Sequence, residues 1–262
     1  MSDTGDKTTP TQRRTRIIDA VMEEGAMRIE DIAQRLEVSP VTVYRDLQAL
    51  EDTGIMERIK GKVRMRASST AELPPQIRRT RSPEEKARVA GAAAKLINPG
   101  DAIIIDDSST LLPLLPQLKT ITPLTIITNS LTVADTIRDW GEHELVVIGG
   151  RYQRWAHAFY GTLAVSQVKE IRADMCLMSD AAVWAGATYN PMDYVIDMKR
   201  AMISQATSRT LLLDSSKFAR HAWQKTAPLS SFETIIVDAT VTAAQRGELE
   251  ESGATVLVAP GE

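Results

Sequence analysis

The sequence has little of several features that mark particular classes of protein. Its 262 residues include one cysteine, so the chain forms no internal disulfide. Aromatic residues make up 5% of the chain, and three residues are histidines. His143, His157 and His221 show no metal-site spacing and no second ligand cluster, which is typical of surface or loop histidines. We therefore predict neither a disulfide scaffold, nor a metal, nor a cofactor.

Long apolar runs are also missing. The segment from Met1 to Thr11 is polar and does not resemble a signal peptide, and no stretch is long enough to span a membrane. Cys176 lies in the apolar run 175–178, where we expect a small buried side chain in a reducing compartment. The sequence therefore predicts a cytoplasmic protein without a membrane partner.

Charge is divided unevenly along the chain. Residues 1–82 carry 15 Lys and Arg against 13 Asp and Glu, whereas residues 83–262 carry 16 against 21. Residues 58–81 contain eight basic side chains and one acidic side chain, Glu72. Such a run has two interpretations. It is either a solvated linker whose charges have no binding role or a segment that contacts the phosphates of a nucleic acid.

The most informative stretch is residues 38–54, which predict a helix with both ends marked. Ser39 is a good cap for a first helical turn, Pro40 fits the next position, and Gly54 suits a helix end. At about 100° per residue, one face is an apolar stripe and the opposite face is exposed. The stripe is formed by Val43, Leu47 and Leu50, and the opposite face by Val41, Arg45, Gln48 and Asp52.

Neighbouring patterns complete a DNA-binding fold. Ile29, Ile32, Ala33 and Leu36 predict a short helix separated from the Ser39 cap by two residues, which makes a helix-turn-helix. A third amphipathic helix ends near Gly25, and a hairpin with a basic tip is predicted around residues 55–66. Residues 11–66 are thus predicted to be a winged helix-turn-helix domain. The predicted DNA contacts are Ser39, Thr42, Tyr44, Arg45, Gln48, Lys60 and Lys62.

The rest of the chain predicts a linker and an α/β domain. Residues 67–82 break all periodicity and are interpreted as a linker. Pro83 then opens a helix over residues 86–97, and apolar runs alternate with helical stretches over residues 83–262. The runs are 102–105, 124–128, 144–148, 175–178, 210–213, 234–237 and 254–258. Such runs indicate a mainly parallel sheet covered on both faces.

Polar residues follow several of these predicted strands. Ligands of α/β sheets bind beyond the carboxyl ends of the strands. Hydroxyl-rich turns that open helices favour an anion there, and a lysine adds positive charge. The turn Ser108–Thr110 and Lys217 are therefore candidates for a phosphate cradle. In a single turn a serine is more typical of a helix cap, and it is the recurrence of such turns that favours an anion site.

Taken together, these residues resemble the DeoR family of bacterial transcriptional regulators, from about Arg13 to Asp238. Matches in the head are Val38, Ser39, Thr42, Val43, Arg45–Leu47, Leu50, Glu51, Gly54 and Arg58. Matches in the body are Gly100, Asp106, Ser109, Thr110, Thr128–Ser130, Gly149, Gly150, Gly161, Leu163, Ala164, Asp174, Lys199–Met202 and Asp214–Phe218. The chain departs from the family pattern at four places. Tyr44 stands where the family commonly has a second arginine, and Lys60–Val63 stands where its wing is His-Gly-Gly-Ala. Ser108 replaces a glycine, and Val195 replaces a residue that is often glutamate.

The resemblance implies a sensor domain similar to sugar-phosphate isomerases and CoA transferases. Such a domain binds a phosphorylated sugar-type effector and changes the affinity of the head for double-stranded operator DNA. It also implies a homodimer or homotetramer and, usually, repression of a carbohydrate operon. The predicted effector-binding residues are Asp106, Ser108, Ser109, Thr110, Thr128, Asn129, Ser130, Gly150, Lys199 and Lys217.

Two interpretations of the sensor residues stay open. In an isomerase-like enzyme with a vestigial DNA-binding head, Asp106, Asp107 and Lys217 would supply the carboxylate and the oxyanion-stabilising group. Because a fold does not carry activity, we predict no enzyme and no catalytic residue. Lys199 either binds the effector or reaches water, and Trp184 either walls the pocket or packs against a helix.

Overall fold

The computed structural model describes residues 9–52, 56–65 and 75–261. The chain forms two compact units that divide between Arg81 and Ser82. Residues 75–80 of the predicted linker form a helix, and Ile77 belongs to the core of the first unit. This part of the linker is therefore folded rather than irregular. Residues 67–74 of the predicted linker lie outside the described residues.

The described part of the first unit contains four helices and three strands. The helices are α1 (Pro10–Glu24), α2 (Ile29–Leu36), α3 (Pro40–Asp52) and α4 (Pro75–Thr80), and the strands are β1 (Ala26–Arg28), β2 (Met56–Ile59) and β3 (Lys62–Met65). The strands form an antiparallel sheet in the order β1-β3-β2. The sequence predicted the β2-β3 hairpin, but it gave no signal for the three-residue strand β1.

The core of the first unit confirms the predicted helical stripes. Val43, Leu47 and Leu50 of α3 are all buried, and they pack in one cluster with apolar residues of α1 and α2. A capping box between Thr9 and Gln12 starts α1, and Gly25 ends it with a φ of 75°. Gly54, the predicted end of α3, lies outside the described residues.

The second unit is an α/β domain. Its helices are α5 (Pro83–Ala94), α6 (Leu115–Leu118), α7 (Leu131–Ile137), α8 (Thr162–Lys169), α9 (Asp193–Gln205) and α10 (Ala243–Glu250). Its strands are β4 (Ala102–Ile105), β5 (Thr125–Thr128), β6 (Glu144–Val147), β7 (Arg151–Gln153), β8 (Ala158–Tyr160), β9 (Ala173–Met178), β10 (Ala182–Trp184), β11 (Ala187–Asn190), β12 (Ala206–Leu213), β13 (Gln224–Pro228), β14 (Thr234–Val237) and β15 (Thr255–Val258). Helix α5 ends earlier than predicted, at Ala94.

Seven parallel strands form the main sheet, in the order β15-β14-β12-β9-β4-β5-β6. All seven strands predicted from apolar runs are present. Along β4, Ile104 packs into one buried cluster, whereas Ile103 and Ile105 pack into another. Each face of the main sheet therefore packs against a buried apolar cluster, which confirms the predicted covering of both faces.

Two small sheets were not predicted, and three of their five strands, Arg151–Gln153, Ala187–Asn190 and Gln224–Pro228, contain no continuous apolar run. Strands β7 and β8 form a hairpin, and β10, β11 and β13 form an antiparallel sheet. Trp184 at the end of β10 is 65% exposed, and its ring lies 6.0 Å from that of Tyr189. The ring therefore does not pack under a helix. No helix in the described ranges is long and apolar enough to cross a membrane.

Candidate functional site

The predicted N-terminal cap of α3 is present. The Ser39 hydroxyl accepts a hydrogen bond from the Thr42 amide at 3.2 Å, and the two hydroxyls lie 2.8 Å apart. Glu37, in the left-handed conformation with a φ of 55°, makes the turn from α2. The start of α3 is therefore fixed in the manner of a helix-turn-helix.

The outward face of α3 carries the predicted DNA contacts. Tyr44, Arg45 and Gln48 are exposed, and Arg45 forms no ion pair with any described residue. Arg45 is therefore available for a bidentate contact with guanine or a contact with phosphate. Gln48 is engaged within the protein, because its amide donates to Asp52 at 3.0 Å.

Arg58 of β2 lies beside this face, although it was not among the predicted contacts. Its guanidinium donates to Glu51 at 2.8 Å and to Gln48 at 3.1 Å, and it lies 5.6 Å from the centre of the Tyr44 ring. The hydrogen bond to Glu51 raises the pKa of Arg58. Tyr44, at a position where the resemblance implies an arginine, thus has Arg58 next to it.

The hairpin between β2 and β3 has the predicted basic tip. Lys60 and Gly61 form its two-residue loop, both with positive φ, at 50° and 75°. Lys60 and Lys62 are exposed at the tip. This geometry suits contacts with the phosphate backbone next to the groove that α3 would enter.

Asp46 holds α3 against α1. It is 1% exposed and pairs with Arg13 and with Arg14, the latter at 3.1 Å. Its position three residues after Val43 on the buried stripe was a usable signal that the sequence reasoning missed. Because the reading face is fixed relative to α1 through this carboxylate, Asp46 is a positioning residue for the DNA contacts.

The predicted effector residues gather at one edge of the main sheet. Because the strands are parallel, the residues that follow β12, β9, β4 and β5 lie side by side, with neighbouring strands about 4.8 Å apart. These residues are Asp214–Lys217, Ser179 and Asp180, Asp106–Thr110, and Thr128–Ser130. Of these, Ser179 and Asp180 were not predicted.

Lys199 of α9 is at the centre of this edge. Its buried ammonium pairs with Asp106 and donates to the Ser179 carbonyl at 2.7 Å. Burial opposes the charged form, but the carboxylates of Asp106, Asp180 and Asp107 outweigh it and raise the pKa of Lys199. Lys199 therefore stays an ammonium and does not reach into water.

Asp106 also fixes the turn that follows β4. One of its oxygens accepts from the Ser108 amide at 2.9 Å, and the other accepts from the Ser108 hydroxyl at 2.8 Å and from Lys199. Both carboxylate oxygens are therefore engaged, which leaves Asp106 poorly placed to take a proton from a substrate. This geometry does not favour Asp106 as the carboxylate of the isomerase alternative.

Lys86 is a second buried lysine, and it was not among the predicted effector-binding residues. It lies on the second turn of α5, and its ammonium donates to the Ser109 hydroxyl at 3.2 Å. Thr110, next to Ser109, is fully buried, and its hydroxyl has no partner among the described residues. The turn 108–110 therefore combines a lysine with an uncommitted hydroxyl.

The hydroxyls of Thr128 and Ser130, at and just after the end of β5, accept hydrogen bonds from backbone amides of the turn and helix that follow. Ser130 caps α7 by accepting from the Val133 amide at 3.3 Å, and Thr128 accepts from the Ser130 amide at 3.0 Å. The alternative of a helix cap is thus correct for Ser130. Asn129 differs, because its side-chain oxygen is buried without a partner in the described structure.

The predicted phosphate cradle at helix N-termini needs a correction. The turn after β4 leads into a three-residue 3-10 helix, Leu112–Leu114, and Lys217 itself ends the 3-10 helix Ser215–Lys217. Pro113 and Pro116 lack the amide hydrogens that a longer helix would need. Positive charge there comes from lysines rather than helix dipoles. Lys217 lies 3.9 Å from the Asp214 carboxylate.

Gly150 has a role in packing. It is exposed, with a φ of 147°, and a Cβ there would lie 2.8 Å from the Tyr160 carbonyl oxygen and 3.0 Å from the Ala164 Cβ. The backbone at this position therefore requires glycine whether or not a ligand binds nearby.

We expect Gly150→Ala to lower the free energy of unfolding by about 1–3 kcal/mol, because it adds backbone strain and a clash. Urea unfolding measures this loss. Gly141→Ala is the matched control, since a Cβ at Gly141 meets nothing within 4 Å. Equal stability of the two variants would contradict the close contact.

Other chemistry has little support in the described residues. Within them, no group of three or more His, Cys, Asp and Glu side chains could hold a metal ion.

Cys176 is buried as predicted, and burial raises the pKa of its thiol. A groove of about 660 Å³ between α8 and α9 is lined by none of the predicted effector residues.

Comparison with known families is consistent with both units. The DeoR-like helix-turn-helix domain matches residues 13–69, and the DeoR C terminal sensor domain matches residues 81–239. The chain belongs to the DeoR family. This confirms the resemblance predicted from the sequence and the order of a DNA-binding head followed by a sensor domain.

Individual DeoR relatives cover most of the chain. The lactose phosphotransferase system repressor of Lactococcus lactis subsp. lactis is 31% identical over 87% of this chain and 90% of its own length. The glycerol-3-phosphate regulon repressor of Escherichia coli K12 is 27% identical over 87% and 91%. The ribose 5-phosphate isomerase A structure from Methanocaldococcus jannaschii aligns at a TM-score of 0.37 and 17% identity, covering 51% of this chain and 53% of its own.

Proposed function

We propose that this DeoR-family protein is a transcriptional repressor of a carbohydrate operon. It binds operator DNA through the outward face of α3 and the basic β2-β3 tip. The observation that carries DNA binding is the exposed guanidinium of Arg45, which has no ion pair within the described residues. The names of two relatives, repressors of lactose phosphotransferase and glycerol-3-phosphate genes, support the carbohydrate context.

We further propose that a phosphorylated sugar-type effector binds at the carboxyl edge of the main sheet and lowers operator affinity. The buried Lys86 contacts the Ser109 hydroxyl. The buried Lys199, which pairs with Asp106, lies 3.4 Å from the Ser108 hydroxyl. Such a set of cations and hydrogen-bonding groups suits a polar, anionic metabolite. The proposal includes no enzymatic step and no cofactor.

Binding of a phosphosugar should raise the melting temperature of the full chain. A ligand at 100 times its dissociation constant stabilises the native state by about 2.7 kcal/mol, which corresponds to several degrees. Thermal-shift measurements with hexose, pentose and triose phosphates test this, with the unphosphorylated sugars as controls. A hit should also release the protein from its own promoter region in a gel shift.

The same gel shift tests the assembly. We propose at least a homodimer, which requires operator half-sites about 34–36 Å apart or a multiple of that distance. Moving one half-site by about half a helical turn should abolish the shifted band. A monomer in solution together with spacing-independent binding would contradict the proposed assembly.

A further inference from the structure

Asp180 is a buried carboxylate with one oxygen unused. The residue follows β9 at the carboxyl edge of the sheet and is 5% exposed. Its Oδ1 accepts from the Ala181 amide and from the Asn190 side-chain amide, each at 2.8 Å. Its Oδ2 is buried and accepts no hydrogen bond from any described residue. A buried carboxylate oxygen without a donor is costly, so a donor from a ligand is expected there.

Other unused polar atoms occur on the adjoining strand ends. The side-chain oxygens of Thr110, Asn129 and Ser179 are buried and have no partner in the described parts of the chain. These residues follow β4, β5 and β9, which are neighbours in the sheet. Three adjacent strand ends span about 10 Å. One small carbohydrate can bridge such a distance and meet several of these atoms.

The charges at this edge determine whether the phosphate or a hydroxyl of a ligand lies beside Asp180. Asp106, Asp107 and Asp180 all act on Lys199, so the carboxylates outnumber the ammonium that they surround. A phosphate dianion placed beside Asp180 would meet a like charge, whereas a hydroxyl would donate a hydrogen bond to it. Lys86 and Ser109, which contact each other, offer the phosphate a cation and a hydroxyl instead.

We propose that Asp180 binds hydroxyl groups of the carbohydrate part of the effector. The ligand is then a phosphorylated sugar or polyol with free hydroxyls, oriented with its phosphate away from Asp180 and towards Lys86. This assignment rests on the proposed function, because it specifies how the same site holds its effector. It makes Asp180 the residue that distinguishes a phosphosugar from a simple phosphate.

Isothermal titration of the full chain with the Asp180→Asn variant tests the assignment. The change keeps the Oδ1 acceptor and the shape but removes the charge and the Oδ2 acceptor. The probes are glucose 6-phosphate, fructose 6-phosphate, ribose 5-phosphate, their monodeoxy analogues and inorganic phosphate. We expect the tightest phosphosugar to bind about 10–100-fold more weakly to the variant, and inorganic phosphate to bind equally to both proteins.

The controls separate this assignment from the proposed function. Asp197→Asn, an equal charge change at an exposed position of α9, should leave every affinity unchanged. The melting temperature of the ligand-free Asp180→Asn protein measures separately what the Asp180 charge contributes to the buried Lys199. Equal phosphosugar affinity in the variant, or an equal loss of affinity for inorganic phosphate, would overturn the role of Asp180 alone. A wild type that binds its operator but no probe would overturn the proposed effector class.

Discussion

Replacing Lys199 by methionine is expected to lower the free energy of unfolding of the second unit by about 3–5 kcal/mol. The side chains of Lys199 and Asp106 are 4% and 2% exposed, so the substitution leaves a buried carboxylate without its counter-charge. Urea unfolding of the full chain measures the loss through tryptophan fluorescence. All four tryptophans, Trp140, Trp155, Trp184 and Trp223, belong to the second unit.

Two further variants test whether the loss of stability comes from the buried Lys199–Asp106 pair. Lys169→Met, at an exposed position of α8, should change stability by less than about 0.5 kcal/mol. Adding Asp106→Asn to Lys199→Met should recover part of the loss, since the unpaired charge is then removed. A loss below about 1 kcal/mol in Lys199→Met would contradict the buried pair.

The pH dependence of the pair has a definite sign. The folded-state pKa of Lys199 lies above its ordinary value of 10.5, so the stabilisation is complete below that pH and declines only as pH rises above it. Titration of Lys199 therefore contributes no change in stability between about pH 6 and 9.

The second large effect concerns operator affinity. We expect Arg45→Ala to weaken specific binding about 10–100-fold, because a guanidinium on the reading face loses its contact with a base edge or phosphate. A quantitative gel shift with the promoter region of the chain's own gene measures this. Unchanged affinity would contradict the docking of α3 in the major groove.

Lys62→Ala is the matched comparison, because Lys62 is exposed at the hairpin tip rather than on α3. A phosphate contact of this kind should weaken specific and non-specific binding alike and reduce the salt slope by about one unit. Arg45→Ala should instead lower the ratio of specific to non-specific affinity if Arg45 reads a base. The two variants thus separate sequence reading from backbone contact.

Local patterns were enough to predict most of the fold. Helix α3 was predictable because a cap, a proline and an apolar stripe occur within a dozen residues. The seven parallel strands were predictable because sheets covered on both faces give continuous apolar runs. Strand β1 was not, since its pairing with β3 joins residues almost 40 positions apart and leaves no periodicity in three residues.

Site residues were predictable only where they followed a recognisable strand or helix. Asp106 and Asn129 belong to such turns, and the structure gathers them at one edge. Lys86 and Asp180 were missed, because Lys86 contacts Ser109, 23 positions away, and Asp180 is marked only by an unused atom. Arg58 was predicted only as part of the basic run 58–81. Helix dipoles were overestimated after β4, where Pro113 and Pro116 lie in short helical turns.

The sequence by itself determined the family, the two-unit organisation and the elements that carry each site. These properties depend on caps, turns and apolar periodicity, which act over a few residues. The tertiary structure decided which charges meet. Lys199 pairs with Asp106 across 93 positions of the chain, and Asp180 keeps an oxygen that has no donor among the described residues. Such contacts depend on how strands and helices are ordered in space, because the energy of a buried charge is set by its neighbours rather than by its place in the sequence.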